Sequence, residues 1–132
     1  MKLTQKTIFF IIVIILVLGT LATVIVRESN LGNEVNYDVF ATCLKDKGAV
    51  FYGAFWCSHC NAQKKEFGSS AKLLPYVECS TPDGQEQVQI CKDAKIMGYP
   101  TWRFKDGTEL TGEIPLTTLA EKTSCELPQS GK

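Results

Sequence analysis

Cys57-Ser58-His59-Cys60 sits between an apolar run, Ala49–Phe55, and a helix-compatible stretch, Asn61–Lys72. That order constrains the fold more than any other feature of the chain. A buried strand feeding a helix places the Cys57 sulfur at a helix N-terminus, where unpaired backbone N–H groups and the helix dipole favour negative charge. A thiol in such a place ionises more readily than a free one, and the thiolate is its reactive form. The i, i+3 spacing sets Cys60 on the same helical face, close enough to close a small disulfide ring. The stretch reads as a dithiol/disulfide redox centre. The bland alternative is a purely structural disulfide. A zinc site fits poorly, because His59 is the only histidine of the chain and Cys57, Cys60 and His59 fall one ligand short. No metal and no cofactor beyond the disulfide itself is expected.

The N-terminus carries a second strong feature. Ile8–Val26 is a run of 19 residues without a charge, roughly 28 Å long as a helix and close to the thickness of a bilayer core. Lys2 and Lys6 precede it, so the positive-inside rule predicts a cytoplasmic N-terminus and a domain outside the cytoplasm. The organisation expected is a cytoplasmic N-terminus with a signal-anchor helix at 1–27, a linker at 28–36, one folded domain at 37–126 and a tail at 127–132. A linker of nine residues reaches about 30 Å, which would keep the redox centre near the membrane. The rival is a cleaved signal peptide, for which Thr20-Leu21-Ala22 is only a weak site; a buried soluble helix is a third reading. The first two both export the domain, to a periplasm, the cell exterior or a thylakoid lumen.

Setting aside Lys2, Lys6 and Arg27, 11 basic residues face 14 acidic ones. The remainder is mildly acidic and has no basic stripe, which excludes a nucleic-acid partner. The exported part is expected to act as a monomer.

Along that part, helices are expected at Tyr37–Lys47, at Asn61–Lys72, at Glu86–Ile96 and at Leu116–Ser124. Strands are expected at Ala49–Phe55, Tyr76–Cys79, Thr101–Phe104 and Glu109–Gly112, the last two joined by a hairpin turn at Lys105–Thr108. On the active-site helix, Gln63–Glu66 read as the polar side and Phe67 as inward-facing, with Lys64, Lys65 and Glu66 a solvated face. This order implies an α/β fold, a central mixed sheet flanked by helices.

Phe55-Trp56-Cys57-Ser58-His59-Cys60, Tyr99-Pro100-Thr101 some forty positions on, and Gly107 and Gly112 in the hairpin resemble the thioredoxin superfamily over about Tyr37 to Cys125. Gly48–Phe67, Leu74–Cys79 and Gly98–Trp102 are similar, more narrowly, to the thioredoxin-like domain fused to vitamin K epoxide reductase homologues in bacteria and plant plastids. One candidate anchor helix stands where those homologues carry a membrane bundle. The expected redox partner is therefore a separate quinone-linked oxidase like vitamin K epoxide reductase.

The resemblance implies a cis peptide before Pro100, facing Cys57 and Cys60, where Tyr99 pairs its backbone with an extended substrate. Trp56, Tyr99, Pro100 and Thr101 are thus the substrate-binding candidates, while Trp102 reads as packing. Cys57 is the attacked sulfur and Cys60 the resolving one, with Ser58 and His59 supplying polar donors near Cys57; a solvent-facing His59 is the alternative. The insert resembles those of oxidising members. One departure is Phe51, at a position where many thioredoxins carry a buried carboxylate; its absence removes the obvious proton acceptor for Cys60 and counts against fast reductase chemistry.

The other four cysteines allow three pairings, with free buried thiols as the alternative. The resemblance suggests Cys79–Cys91, stapling a turn-rich loop, and leaves Cys43 with Cys125. A thioredoxin-like layout would put the first and last helices of the domain on opposite faces, so that bridge would need Cys125 in a tail wrapping the sheet edge. The function expected is a membrane-anchored dithiol oxidase acting on exported cysteine-containing proteins. A tethered reductase or isomerase, as in cytochrome c maturation, and a non-catalytic binding module are the alternatives.

Overall fold

The computed structural model describes residues 4–29 and 35–129. The expected linker and tail lie partly outside these residues, as does Lys2. The chain divides into two compact units, an N-terminal one and one beginning at Val35.

The first unit is helix α1 (Gln5–Ser29). Its Gln5–Thr23 stretch is exposed along its length and is long and apolar enough to cross a membrane. A signal sequence has the same properties.

The second unit starts with α2 (Asp38–Asp46), opened by Asn36 Oδ1, which accepts the Asp38 N–H at 2.8 Å. It continues through β1 (Val50–Gly53), α3 (Ser58–Glu66), a 3-10 helix (Gly68–Leu73), β2 (Tyr76–Glu78), α4 (Gln89–Asp93), β3 (Thr101–Arg103), β4 (Glu109–Thr111) and α5 (Leu116–Thr123). The strands form one mixed sheet in the order β2-β1-β3-β4. β1 pairs parallel to β2 and antiparallel to β3, with Phe51 between Tyr76 and Trp102, and β3 and β4 close the hairpin. A mixed four-stranded sheet with flanking helices fits a thioredoxin-like α/β fold.

Alternation along β1 splits the core in two. Phe51 stacks on Trp102 with ring centroids 4.7 Å apart and packs with Phe40, Leu44, Phe67 and Leu119. Tyr52 points the other way, to Cys79, Cys91 and Ile96.

Three expectations need correction. The active-site helix does not run to Lys72: Gly68, at φ 53°, ends it and the chain tightens into the 3-10 helix. The helix expected at Glu86–Ile96 shrinks to five residues, because Gln87 bridges Ser80 and the Val88 N–H is drawn to Cys79 O. The first and last helices of the domain do not flank opposite faces. Phe40, Ala41 and Leu44 of α2 and Leu119 of α5 bury in the same cluster, so Cys43 and Cys125 meet without any tail around the sheet edge. Ser124, at φ 57°, ends α5 and turns Cys125 inward.

Disulfides join Cys43 to Cys125, 82 positions apart, and Cys79 to Cys91, 12 apart. In the chain-entropy picture the longer loop stabilises by about 4–5 kcal/mol and the shorter by about 3. A Cys43→Ser, Cys125→Ser variant is therefore expected to lose more unfolding free energy than Cys79→Ser, Cys91→Ser, as measured by chemical denaturation.

Candidate active site

β1 ends at Gly53, and a short turn delivers Cys57 to the N-cap position of α3. There Cys57 Sγ accepts the backbone N–H of Cys60 at 3.2 Å. Cys57 is 6% exposed and Cys60 is fully buried. Both are free thiols. Burial pushes the Cys60 thiol up to about 12, and its side-chain hydrogen bond to Cys57 adds to the shift. The two sulfurs are thus unequal, one slightly exposed and accepting the Cys60 amide, the other fully buried.

The substrate candidates separate into two layers. Trp56 stands 55% exposed in front of Cys57, its Nε1 donating to Ser80 Oγ at 2.9 Å and its ring set edge-on to Tyr99 at 6.0 Å. Gly84, in the turn after Cys79, abuts Trp56 and Phe55. Gln87 Nε2 donates to Tyr99 Oη at 2.7 Å. The peptide Tyr99–Pro100 is cis, and Thr101 pairs with Tyr52, which puts Pro100 at the Gly53 end of β1. Pro100 and Thr101 lie beneath this surface: both are buried, and the Thr101 hydroxyl donates to Gly98 O at 2.9 Å. Only Trp56 and Tyr99 of the four candidates present side chains outward.

His59 is exposed, with Nδ1 2.5 Å from Glu113 Oε1. Among the described residues this carboxylate is its only hydrogen-bond partner, and the donor found on Cys57 Sγ is the Cys60 amide. Glu113 lies fifty-four positions away, in the loop before α5, and no local pattern in the sequence points to it.

Gln63 corrects the polar-face reading. It is fully buried, and its amide donates to Ile114 O at 3.0 Å and accepts the Ile114 N–H at 2.6 Å. The same Nε2 donates to Glu66 Oε2 at 2.7 Å. Partial burial, with the Glu113 charge, raises the Glu66 carboxyl above its usual range. Gln63 therefore pins the active-site helix to the loop that carries Glu113. Lys64 is no simple solvated residue either, since its Nζ lies 3.3 Å from the centre of the Tyr76 ring.

Tyr76 and Glu78 of β2 complete the site, and the sequence reading missed both. Tyr76 Oη donates to Glu78 Oε2 at 2.8 Å, and Glu78 Oε1 accepts the N–H groups of Phe55 and Ser80 at 3.2 and 3.0 Å. Burial, then the bond to Glu78, pushes the Tyr76 phenol above its ordinary range. Among the described residues no cluster of three or more metal-ligating side chains occurs.

Gln63→Leu keeps the volume but leaves both backbone groups of Ile114 unpaired, at a cost of about 1–3 kcal/mol for each such group. Chemical denaturation should record a loss of about 2–4 kcal/mol. The folded, reduced domain holds the Cys60 proton more tightly than the unfolded chain. Its contribution to stability is full below about pH 9 and is lost as pH rises towards about 12. Unfolding of reduced and oxidised protein at neutral pH and at about pH 10.5 checks this: the reduced form must lose more.

No family model matches the chain. Over 94 residues it is 49% identical to the thiol-disulfide oxidoreductase LTO1 of Arabidopsis thaliana, covering 67% of this chain and 24% of that protein. It is 30% identical over 77 residues to protein disulfide-isomerase A2 of Mus musculus, covering 53% of this chain and 14% of that protein. Over 91 residues it is 32% identical to a probable protein disulfide-isomerase ER-60 of Schistosoma mansoni, covering 61% and 18%. The chain spans a quarter or less of the length of these curated relatives. Their similarity, with the mixed sheet and its flanking helices, supports a thioredoxin-like oxidoreductase.

Proposed function

We propose that the protein is a membrane-anchored dithiol oxidase that introduces disulfides into exported cysteine-containing proteins through Cys57 and Cys60. The observation that carries this reading is Cys57 Sγ at the N-cap of α3, accepting the Cys60 N–H. A donor aimed at that sulfur stabilises the reduced form, and stabilising the reduced form makes the disulfide a stronger oxidant. The apolar helix α1 supports an anchor, and the relative named a thiol-disulfide oxidoreductase supports the chemistry.

A substrate thiolate attacks Cys57 Sγ of the Cys57–Cys60 disulfide, and Cys60 leaves as a thiolate that takes up a proton. The second substrate thiolate then attacks its own sulfur in the mixed disulfide and displaces Cys57. The substrate has lost two electrons and the Cys57–Cys60 pair has gained them. A quinone-linked membrane oxidase like vitamin K epoxide reductase would accept them in turn, on the extracytoplasmic side. The Trp56 and Tyr99 surface would receive the substrate segment.

The relatives named protein disulfide-isomerases favour a second reading, in which the reduced pair reshuffles disulfides without net oxidation. Equilibration of the full chain with glutathione buffers separates the two. An oxidase is expected above about −200 mV, and a value near thioredoxin's, about −270 mV, would reject it in favour of a reductase. Isomerase activity would appear as recovery of a scrambled substrate without loss of free thiols.

A further inference from the structure

A mixed disulfide at Cys57 is resolved only when Cys60 loses its proton, because the thiolate is the attacking form. Cys60 is fully buried, and that burial holds the proton on. β1 supplies no carboxylate to take it: Phe51 is stacked on Trp102, and the Tyr52 ring belongs to the core cluster of the opposite face.

Polar groups reach the spot from β2 and α3 instead. A methyl group on Gly53 would stand 3.0 Å from Cys60 Sγ and 2.9 Å from Tyr76 Cε2. The sulfur and the hydroxyl-side edge of the Tyr76 ring therefore face one another across the gap that glycine leaves. The Tyr76 hydroxyl leads on to Glu78, which is half-buried and so meets solvent. Lys64, one turn beyond Cys60 on α3, lies over the same ring. Among the described residues, Cys57, Lys64 and Tyr76 are the titratable groups that face the Cys60 thiol, with Glu78 behind the Tyr76 hydroxyl.

We propose that Tyr76 and Glu78 form the proton path of Cys60, carrying its proton from the buried sulfur to solvent. The proposal rests on the dithiol reading above. In the resolving step the Cys60 proton passes to Tyr76 Oη, directly or through one water, while the phenolic proton passes to the Glu78 carboxylate and on to bulk water. The Cys60 thiolate attacks Cys57 Sγ, the new S–S bond forms, and the substrate sulfur leaves with the electron pair of the broken bond. When the disulfide is instead opened by a substrate, Cys60 departs as a thiolate and the path returns a proton to it. The phenol stays neutral because burial and the neighbouring Glu78 disfavour its ionisation; it relays a proton and stores no charge. Lys64 offers the passing Cys60 thiolate a positive charge.

The test uses the full chain in detergent, reduced at Cys57 and Cys60 and mixed rapidly with dithiobis-nitrobenzoate. Attack by Cys57 releases one coloured thiolate and resolution by Cys60 releases a second, so the two steps are read separately. Tyr76→Phe keeps the ring, and Glu78→Gln keeps an acceptor for the Phe55 and Ser80 amides. Both variants are expected to slow the second release by roughly tenfold or more, to leave the first within about twofold, and to make the second rate climb with hydroxide concentration. Glu78→Asp should restore part of the second rate. An unchanged second rate and pH profile in both variants would overturn the proposal, as would an equal slowing of both releases, which marks a structural effect. Release of only one thiolate by the parent protein would instead defeat the dithiol reading itself.

Discussion

Cys60 is fully buried beside Gly53 and the Tyr76 ring, and the chemistry of the site depends on that burial. Its neighbour Cys57 reaches the surface at the helix N-cap. The difference between the two sulfurs therefore comes from position and not from residue type. Holding that position requires α3 to stay fixed against the rest of the domain. The helix is short and mostly polar, with only Cys60 and Gln63 buried along it. Apolar packing alone would hold such a helix weakly. Gln63 supplies the missing constraint by pairing both backbone groups of Ile114 in the core, where leaving them unpaired would be costly. The same loop reaches α3 a second time through Glu113 and His59. That pair is well exposed, at 69% and 41%, and contributes about 0–1 kcal/mol at most.

The two structural disulfides serve the two faces of the sheet. Four strands of three or four residues enclose little apolar surface, and the two bridges add stability by constraining the unfolded chain. Cys43–Cys125 ties the start of the domain to its end on the Phe51 face. Cys79–Cys91 works on the Tyr52 face and fixes the loop that carries Ser80, Gly84 and Gln87. Those residues touch Trp56 and Tyr99. The second staple thus shapes the surface in front of Cys57 as well as the core behind it.

Much of this was legible in the chain wherever the signal was local. An apolar run, a Cys-x-x-Cys and a helical stretch predict β1 and α3, and Lys105–Thr108 predicts the hairpin. Several of the errors share one cause, a polar side chain whose partner is distant in sequence or a backbone claimed by another segment. Gln63 reads as surface because its amide is polar, and its partner is 51 positions away. Gln87 and Val88 look helical by spacing, yet their backbone is claimed by the segment around Cys79. Tyr76 and Glu78 look like an ordinary strand end until Gly53, on the adjacent strand, is seen to leave space for the tyrosine beside Cys60. Periodicity reports which face of an element is apolar; it carries nothing about which polar atom completes another.

The unequal sulfurs also bear on how the proposed dithiol reaction would be ordered. In the reduced pair burial, with the side-chain hydrogen bond to Cys57, keeps the proton on Cys60. The outer sulfur accepts the Cys60 amide, and it is the one a partner can approach past the exposed Trp56. On the proposed dithiol reading every exchange with another molecule, in either direction of electron flow, would pass through Cys57. Cys60 enters only after that bond exists, when the attached partner and the buried thiol compete for the same sulfur. Whatever governs the proton on Cys60 then governs how long the mixed disulfide lives. A long-lived complex lets a substrate's second thiol reach it, whereas a short-lived one returns the first thiol unpaired. On that reading the polar groups behind Cys60 would be as much a determinant of outcome as the exposed surface in front of Cys57.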